Sequence, residues 1–424
     1  MDFKTTINQY VSEYKPILIY CLKWIILSLA VGFLSGSASA LLLVSLEFAT
    51  EVREHNLWIV ALLPLAGLVI GLLYHYFGQD VVKGNNQILD EYHEPQKRIP
   101  LKMAPFVLIG TFLTHLFGGS AGREGSAVQM GSSIADQFSR FFTINALDRK
   151  ILLIIGISGG FASVFGTPLA GAIFALEVLV IGRMRYEAIL PSILTAIFAH
   201  LTCHLWNVHH TIYSIPEVPE IEFSGVFWSI FCGIIFGLAA ILFSKTTHYF
   251  FHIFKTKIAY PPLRPFIGGI IIAIVVFFVG QRYLGLGVPI IESAFDSQLW
   301  YGDFFIKLLF TAFTLGAGFK GGEVTPLFFI GATLGNALFL FVPLPMALLA
   351  GMGFVAVFSG ATNTPIACIF MGIELFGAKT GVYLGISCIV AYLASGHSGI
   401  YSSQVIGSPK NQILELKSRF LRNL

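Results

Sequence analysis

Apolar residues run almost unbroken through positions 16–49, 57–77 and 151–181, and polar residues collect in the short stretches between such runs. A helix needs about 20 apolar residues to cross a hydrocarbon core roughly 30 Å thick, so the pattern predicts a polytopic α-helical membrane protein. Other apolar stretches, at 104–116, 126–142, 327–341 and 365–376, are too short to span or are interrupted by Gly and Pro. Broken helices survive at membrane depth where their exposed backbone lines protein or a polar cavity. The segment at 206–224, WNVHHTIYSIPEVPEIEFS, is polar and proline-containing and separates two halves.

Composition agrees with this pattern. Of 424 residues, 55% are hydrophobic and 12% charged, and the mean hydropathy is +0.78, well above that of soluble domains. The first apolar run exceeds the length of a signal-peptide core, and its leader MDFKTTINQYVSEYK carries both signs of charge, so no cleavage is expected. The net charge of +3 is spread over short loops such as 96–98, which suggests neither nucleic acid nor an acidic partner and instead marks cytoplasmic flanks. The cysteines at 21, 203, 232, 368 and 388 lack CxxC spacing and read as small core residues. The expected organisation is one transmembrane domain over 1–424. It has a first repeat at about 16–206, a linker at about 207–224, a second repeat at about 225–401 and a short cytoplasmic tail at 402–424.

The two halves resemble one another. TPLAGAIFALE at 167–177 matches TPIACIFMGIE at 364–374, each with a Glu nine residues after its Pro, and Gly-rich apolar helices at 156–166 and 351–360 precede them. Upstream, GREGSAVQMG at 122–131 aligns without gaps to GEVTPLFFIG at 322–331; the intervals from first Gly to Pro are 46 and 43 residues. Weak internal similarity with short helices in corresponding places marks a transporter built from repeats, its site where they meet. The sequence leaves open whether the repeats are inverted. Glu177 and Glu374 read as structural groups at helix ends or interfaces.

The candidate chemistry lies at these helix starts. Glycines at 118, 119, 122 and 125 delay a helix until Ser126, leaving Glu124 in the loop at its N-terminus. Free N–H groups and the helix dipole make such a place an anion site, worth up to ~2 kcal/mol for a partly buried charge. An ionised Glu124 then fills an anion's place and a protonated one releases it, which links proton and anion binding. The competing reading is an Arg123–Glu124 loop ion pair near the membrane surface. GFKGGEVTPLFF at 318–329 repeats the design with Glu323 and Thr325 before Pro326, and two such N-termini could face each other. In VKGNNQ at 82–87, Asn85 and Asn86 read either as amide donors at a third helix start or as an ordinary turn. His200, His204, His209 and His210 lack the carboxylate or cysteine that would complete a metal site. The glycine run lacks a phosphate-loop ending, so an ATP-driven pump is not indicated. No nucleophile accompanies Glu124 and Glu323, so neither an enzyme nor a cofactor is expected.

These residues resemble the CLC family of anion channels and anion/proton antiporters, over nearly the whole chain. Gly122-Arg123-Glu124-Gly125 matches four positions of the family's G(K/R)EGP stretch, with Ser126 in place of proline. The GxFxP stretch is similar to Gly322-Glu323-Val324-Thr325-Pro326, and GSGIP is barely visible as Gly84-Asn85-Asn86-Gln87-Ile88. The resemblance implies an inverted-repeat bundle of tilted and broken helices, one pore per subunit and a homodimer. It makes Glu124 the gating glutamate and Tyr401, in SGIYSSQ, the family's anion-contacting tyrosine. Asn85, Asn86, Gly122, Arg123, Gly125, Val324 and Thr325 complete the implied anion-binding set.

The departures from the family pattern, GNNQI and GGEVTP, look like its bacterial fluoride/proton antiporter branch, in the inner membrane, which exports fluoride against inward proton movement. Fluoride is a hard acceptor that holds water tightly and needs strong donors, which the Asn85 amide, Thr325 hydroxyl and Tyr401 phenol supply. A chloride channel or chloride/proton exchanger of the same family is the alternative. Chloride/proton members place an inner proton-passing glutamate where this chain has Val178. Glu323 is the available substitute, either joining Glu124 in proton transfer or serving as a static helix cap.

Overall fold

A computed structural model describes residues 3–140, 144–410 and 421, with side chains from residue 14 onward. The last positions of the expected 126–142 stretch and most of the expected tail lie outside the described residues. The first half contributes α1 (Phe3–His55), α2 (Leu63–Phe77), α3 (Asn85–His93), α4 (Met103–Leu116), α5 (Glu124–Gln137), α6 (Ala146–Phe165), α7 (Pro168–Glu177) and α8 (Ile189–Leu205). The second contributes α9 (Phe223–Lys257), α10 (Leu263–Val279), α11 (Val288–Asp296), α12 (Asp303–Gly316), α13 (Val324–Leu338), α14 (Met346–Thr362), α15 (Pro365–Phe376) and α16 (Gly381–Ala394). Two strands of two residues, β1 (Val180–Ile181) and β2 (Val405–Ile406), pair in parallel.

The helices correspond in order, and so does their packing. In the first half α5 lies on α6 and α1 on α8; in the second α13 lies on α14 and α9 on α16. Between halves, helices meet their own counterparts, α2 against α10 and α7 against α15. The last pair fixes their relative direction. The Glu374 carboxylate, near the end of α15, accepts the Leu169 and Ala170 N–H groups at the start of α7, at 2.9 and 2.8 Å. Glu177, at the end of α7, accepts Ile366 and Ala367 at the start of α15, at 3.1 and 2.9 Å. Each helix therefore begins where the other ends, and the repeats are inverted. Both glutamates satisfy helix-start donors that have no partner within their own helix.

One expected span is divided. The run at 151–181 is not a single membrane crossing: α6 ends at Phe165, Gly166 turns with φ 74° and α7 begins at Pro168. A left-handed residue closes the first helix, and the proline, which lacks an N–H, opens the second without leaving a donor unpaired. Four described helical segments are long and apolar enough to cross a membrane: Tyr14–His55, Leu57–Phe77, Tyr186–Leu205 and Phe223–Lys257. Their exposed faces carry Leu29, Phe33, Leu238 and Phe251, as a lipid boundary requires. By contrast α5 and α13 are buried along almost their whole length. Glycine permits that depth: Gly131 meets Gly156 and Gly160 with no room for a Cβ, and Gly331 meets Gly353 in the same way.

Candidate functional site

The starts of α5 and α13 are joined at the centre of the molecule. The Gly122 N–H donates to the Gly322 carbonyl at 2.6 Å and the Gly322 N–H to the Gly122 carbonyl at 2.7 Å. These residues are the first positions of the aligned segments, so the pairing follows the register of the repeat. Only glycine allows it, since a Cβ on Gly322 would lie 2.8 Å from the Gly125 nitrogen. The helix after this bridge begins at Glu124 rather than at Ser126, which makes the glutamate its first residue.

The Glu124 side chain is 1% exposed and sits between the two helix N-termini. Its Oε2 accepts the Arg123 N–H at 3.1 Å and the Thr325 N–H at 3.0 Å, while the Thr325 hydroxyl donates to Oε1 at 2.5 Å. Three donors on one carboxylate, two from backbone at helix starts, form the environment in which a small anion is held. The surface ion-pair reading does not describe this arrangement. Arg123 Nε is 3.7 Å from Oε1 and, although buried, makes no hydrogen bond.

A second group converges beside it. Gly125 leaves space that a Cβ would fill, 2.7 Å from Asn85 Nδ2 and 3.4 Å from Glu323 Oε2. Asn85 Oδ1 and Glu323 Oε2 are buried without hydrogen-bond partners. Glu323 occupies the N-cap of α13, yet its side chain makes no cap hydrogen bond, so the static-cap reading finds no bond to support it. Tyr401 is 5% exposed and within electrostatic range of both glutamates. Val324 opens α13 and is buried beside Thr325.

Two of the expected anion contacts also carry structural hydrogen bonds. The Gly122 N–H belongs to the bridge, and Asn86 Oδ1 accepts the Ser403 N–H at 3.0 Å, anchoring the segment that carries Tyr401.

One cavity borders the site and a second lies toward the opposite face. A cavity of about 30 Å3, room for about one water, is bordered by Arg123, Glu124, His210, Tyr213, Thr325 and Leu375. A larger one of about 470 Å3 is bordered by Glu177, Arg183, Asn363, Ile366 and Tyr392. Leu375 and Ile366 stand at the two ends of α15, so the first cavity opens toward the linker and the second toward the strands and tail. Sequence reasoning weighed His210 only as a metal ligand and left Thr211 and Tyr213 in a separating segment, and so missed that all three border the Glu124 cavity. The signal available was a cluster of aromatic and hydrogen-bonding side chains in an otherwise apolar chain.

The family model described as voltage gated chloride channel matches residues 66–396. The chain belongs to the CLC family. This CLC chain is 51% identical over 406 residues to a chloride/fluoride channel protein of Pseudomonas syringae pv. tomato, covering 94% of the chain and 90% of the relative. It is 26% identical over 461 residues to an H+/Cl− exchange transporter of Vibrio cholerae, covering 97% and 94%. Among solved structures, a CLC-type fluoride/proton antiporter superposes with a TM-score of 0.88 at 36% identity, covering 90% of this chain and 98% of that one. A cyanobacterial Cl−/H+ antiporter, at TM-score 0.75 and 22% identity over 88% and 93% of the two chains, shares the fold.

Proposed function

We propose that this CLC protein is a secondary active antiporter that exports fluoride in exchange for protons, with Glu124 competing against the anion for the start of α13. The supporting observation is the Glu124 carboxylate itself, held by the Thr325 N–H and hydroxyl and by the Arg123 N–H. Protonation removes most of its attraction to those donors, the side chain leaves, and fluoride takes the vacated hydrogen bonds. Asn85, Thr325 and Tyr401 are the strong donors that offset fluoride's dehydration. Glu323 carries the proton onward, in the role for which Val178 offers no carboxylate. The names of the Pseudomonas relative and of the superposing antiporter support fluoride as cargo.

The protein acts as a homodimer in the bacterial inner membrane. The linker contains Glu217, Glu220 and Glu222 and no Lys or Arg, whereas Lys97 and Arg98 lie beside Arg149 near the start of α6, at the opposite face. By the excess of basic residues, that opposite face is cytoplasmic.

Purified protein in liposomes tests the reading with a fluoride electrode, a chloride electrode and a pH electrode. Fluoride efflux should exceed chloride efflux by at least about tenfold, a discrimination of ~1.4 kcal/mol, with protons moving the opposite way. Equal fluoride and chloride rates would favour the second reading, a chloride channel or exchanger, which the Vibrio relative supports. Anion efflux without proton movement would exclude antiport.

A further inference from the structure

The linker closes the Glu124 cavity with a histidine. His210 borders that cavity together with Arg123, Glu124 and Thr325. Its ring packs on Gly166, where a Cβ would come within 2.8 Å of Cγ, and its Nε2 lies 2.9 Å from the Ser163 carbonyl oxygen. A carbonyl only accepts, so Nε2 carries the hydrogen and Nδ1 is the nitrogen that gains and loses a proton. Behind it, the half-buried His200 ring stands 6.1 Å away at 30°, with its own Nδ1 buried and unpartnered. His204, one turn further along α8, is 6.3 Å from His209, and both are exposed. Four imidazoles thus lead from the surface to the cavity wall.

The groups that act on His210 are Arg123 at the start of α5 and His200 and His204 on α8. Cys203 lies on the same helix, and Glu124 and Tyr213 share the cavity. Burial lowers the proton affinity of His210, the Ser163 hydrogen bond partly restores it, and Arg123 with the other two histidines lowers it again. A proton held that weakly is readily given to a carboxylate.

We propose that His210 exchanges protons with Glu124 on the linker face, with His200, His204 and His209 connecting it to solvent; this rests on the antiport reading above. In the transfer, the His210 Nδ1–H bond breaks and a cavity water accepts that proton while passing one of its own to the Glu124 carboxylate. The imidazolium becomes neutral imidazole and the carboxylate becomes carboxyl, so charge and protons balance. Neutral Glu124 then releases the Thr325 donors, and the reverse step returns the proton to the linker face. The histidine therefore sets the pH range over which the gate is loaded.

The test is the initial rate of proton-coupled fluoride efflux from liposomes, with the same pH on both sides, scanned from about pH 5 to 8 across the imidazole range. His210→Gln keeps an amide that can reach the Ser163 carbonyl but cannot titrate. Its rate should fall about a hundredfold near neutral pH, the low end of what a positioned acid–base group contributes, and approach the parent's at acidic pH. Added imidazole should restore the neutral-pH rate of His210→Ala. Superposable profiles for parent and His210→Gln overturn the proposal, as does a uniform loss at every pH that imidazole does not rescue. Should His210→Gln fail to reconstitute, His200→Gln in the same assay should shift the midpoint of the profile, and an unshifted midpoint overturns the relay. A parent that moves no protons would instead refute the antiport reading.

Discussion

Glu177 and Glu374 cap each other's helices: each ends one member of the α7/α15 pair and accepts two backbone N–H groups at the start of the other. Removing either carboxylate leaves two helix-start donors unpartnered at an interface between the repeats. With charged hydrogen bonds worth roughly 1.5–3 kcal/mol each, Glu177→Ala should cost about 2–4 kcal/mol, with some loss recovered by water. Glu374→Ala should cost less because its side chain is more exposed, and Glu→Gln at either position should cost about half as much. Thermal unfolding in detergent, followed by intrinsic fluorescence, measures this. Alanine variants melting with the parent would show that the caps do not hold the repeats together.

Among the described residues, Glu124 is the one carboxylate held by donors from both helix starts. Glu124→Gln cannot lose or gain the proton, while its amide oxygen can still accept from Thr325. Fluoride-dependent proton movement in liposomes should fall to about one-hundredth of the parent's or less, the scale on which a positioned proton carrier contributes. Retained coupling in this variant would remove Glu124 from the gate.

Much of this was legible in the chain. The matched TPLAGAIFALE and TPIACIFMGIE segments located the α7/α15 pair, and the aligned glycines at 122 and 322 located the bridge. Local spacing did not reveal that the pair runs antiparallel, because a repeat looks the same in sequence whichever way it is inserted. The start of α5 lay two residues earlier than expected because the bridge to Gly322, a contact 200 residues away, lets the helix begin immediately after it. For the same reason the sequence did not show that Asn86 also anchors Ser403 through its carbonyl oxygen. Polar residues in the linker signalled exposure, and only the folded chain brings His210 and Tyr213 over Glu124.

Glu323 has one buried carboxylate oxygen without a partner and no cap hydrogen bond. A residue placed only for helix stability would use that oxygen, since an unsatisfied buried acceptor costs about 1–3 kcal/mol. Glu323→Gln preserves shape and removes the exchangeable proton. Proton coupling should be lost while the variant's melting temperature stays within a few degrees of the parent's, as expected for a change of under about 1 kcal/mol. Intact coupling would return Glu323 to a static role.

Thr325 gives Glu124 both a backbone and a hydroxyl hydrogen bond, and a conservative substitution removes the hydroxyl alone. In Thr325→Val the backbone N–H remains at the start of α13, but the side-chain hydroxyl that donates to Glu124 is gone. Fluoride loses more from this than chloride, because the smaller, harder anion gives up more hydration and depends more on each donor. A hydrogen bond to a charged acceptor is worth roughly 1.5–3 kcal/mol, so the apparent fluoride affinity should weaken at least about tenfold, with chloride affected less. Thr325→Ser keeps the hydroxyl and should stay close to the parent, which separates the donor from the shape of the side chain. Concentration dependence of fluoride and chloride efflux in the three proteins measures both effects. Equal weakening for the two anions would mean that Thr325 shapes the site without selecting fluoride.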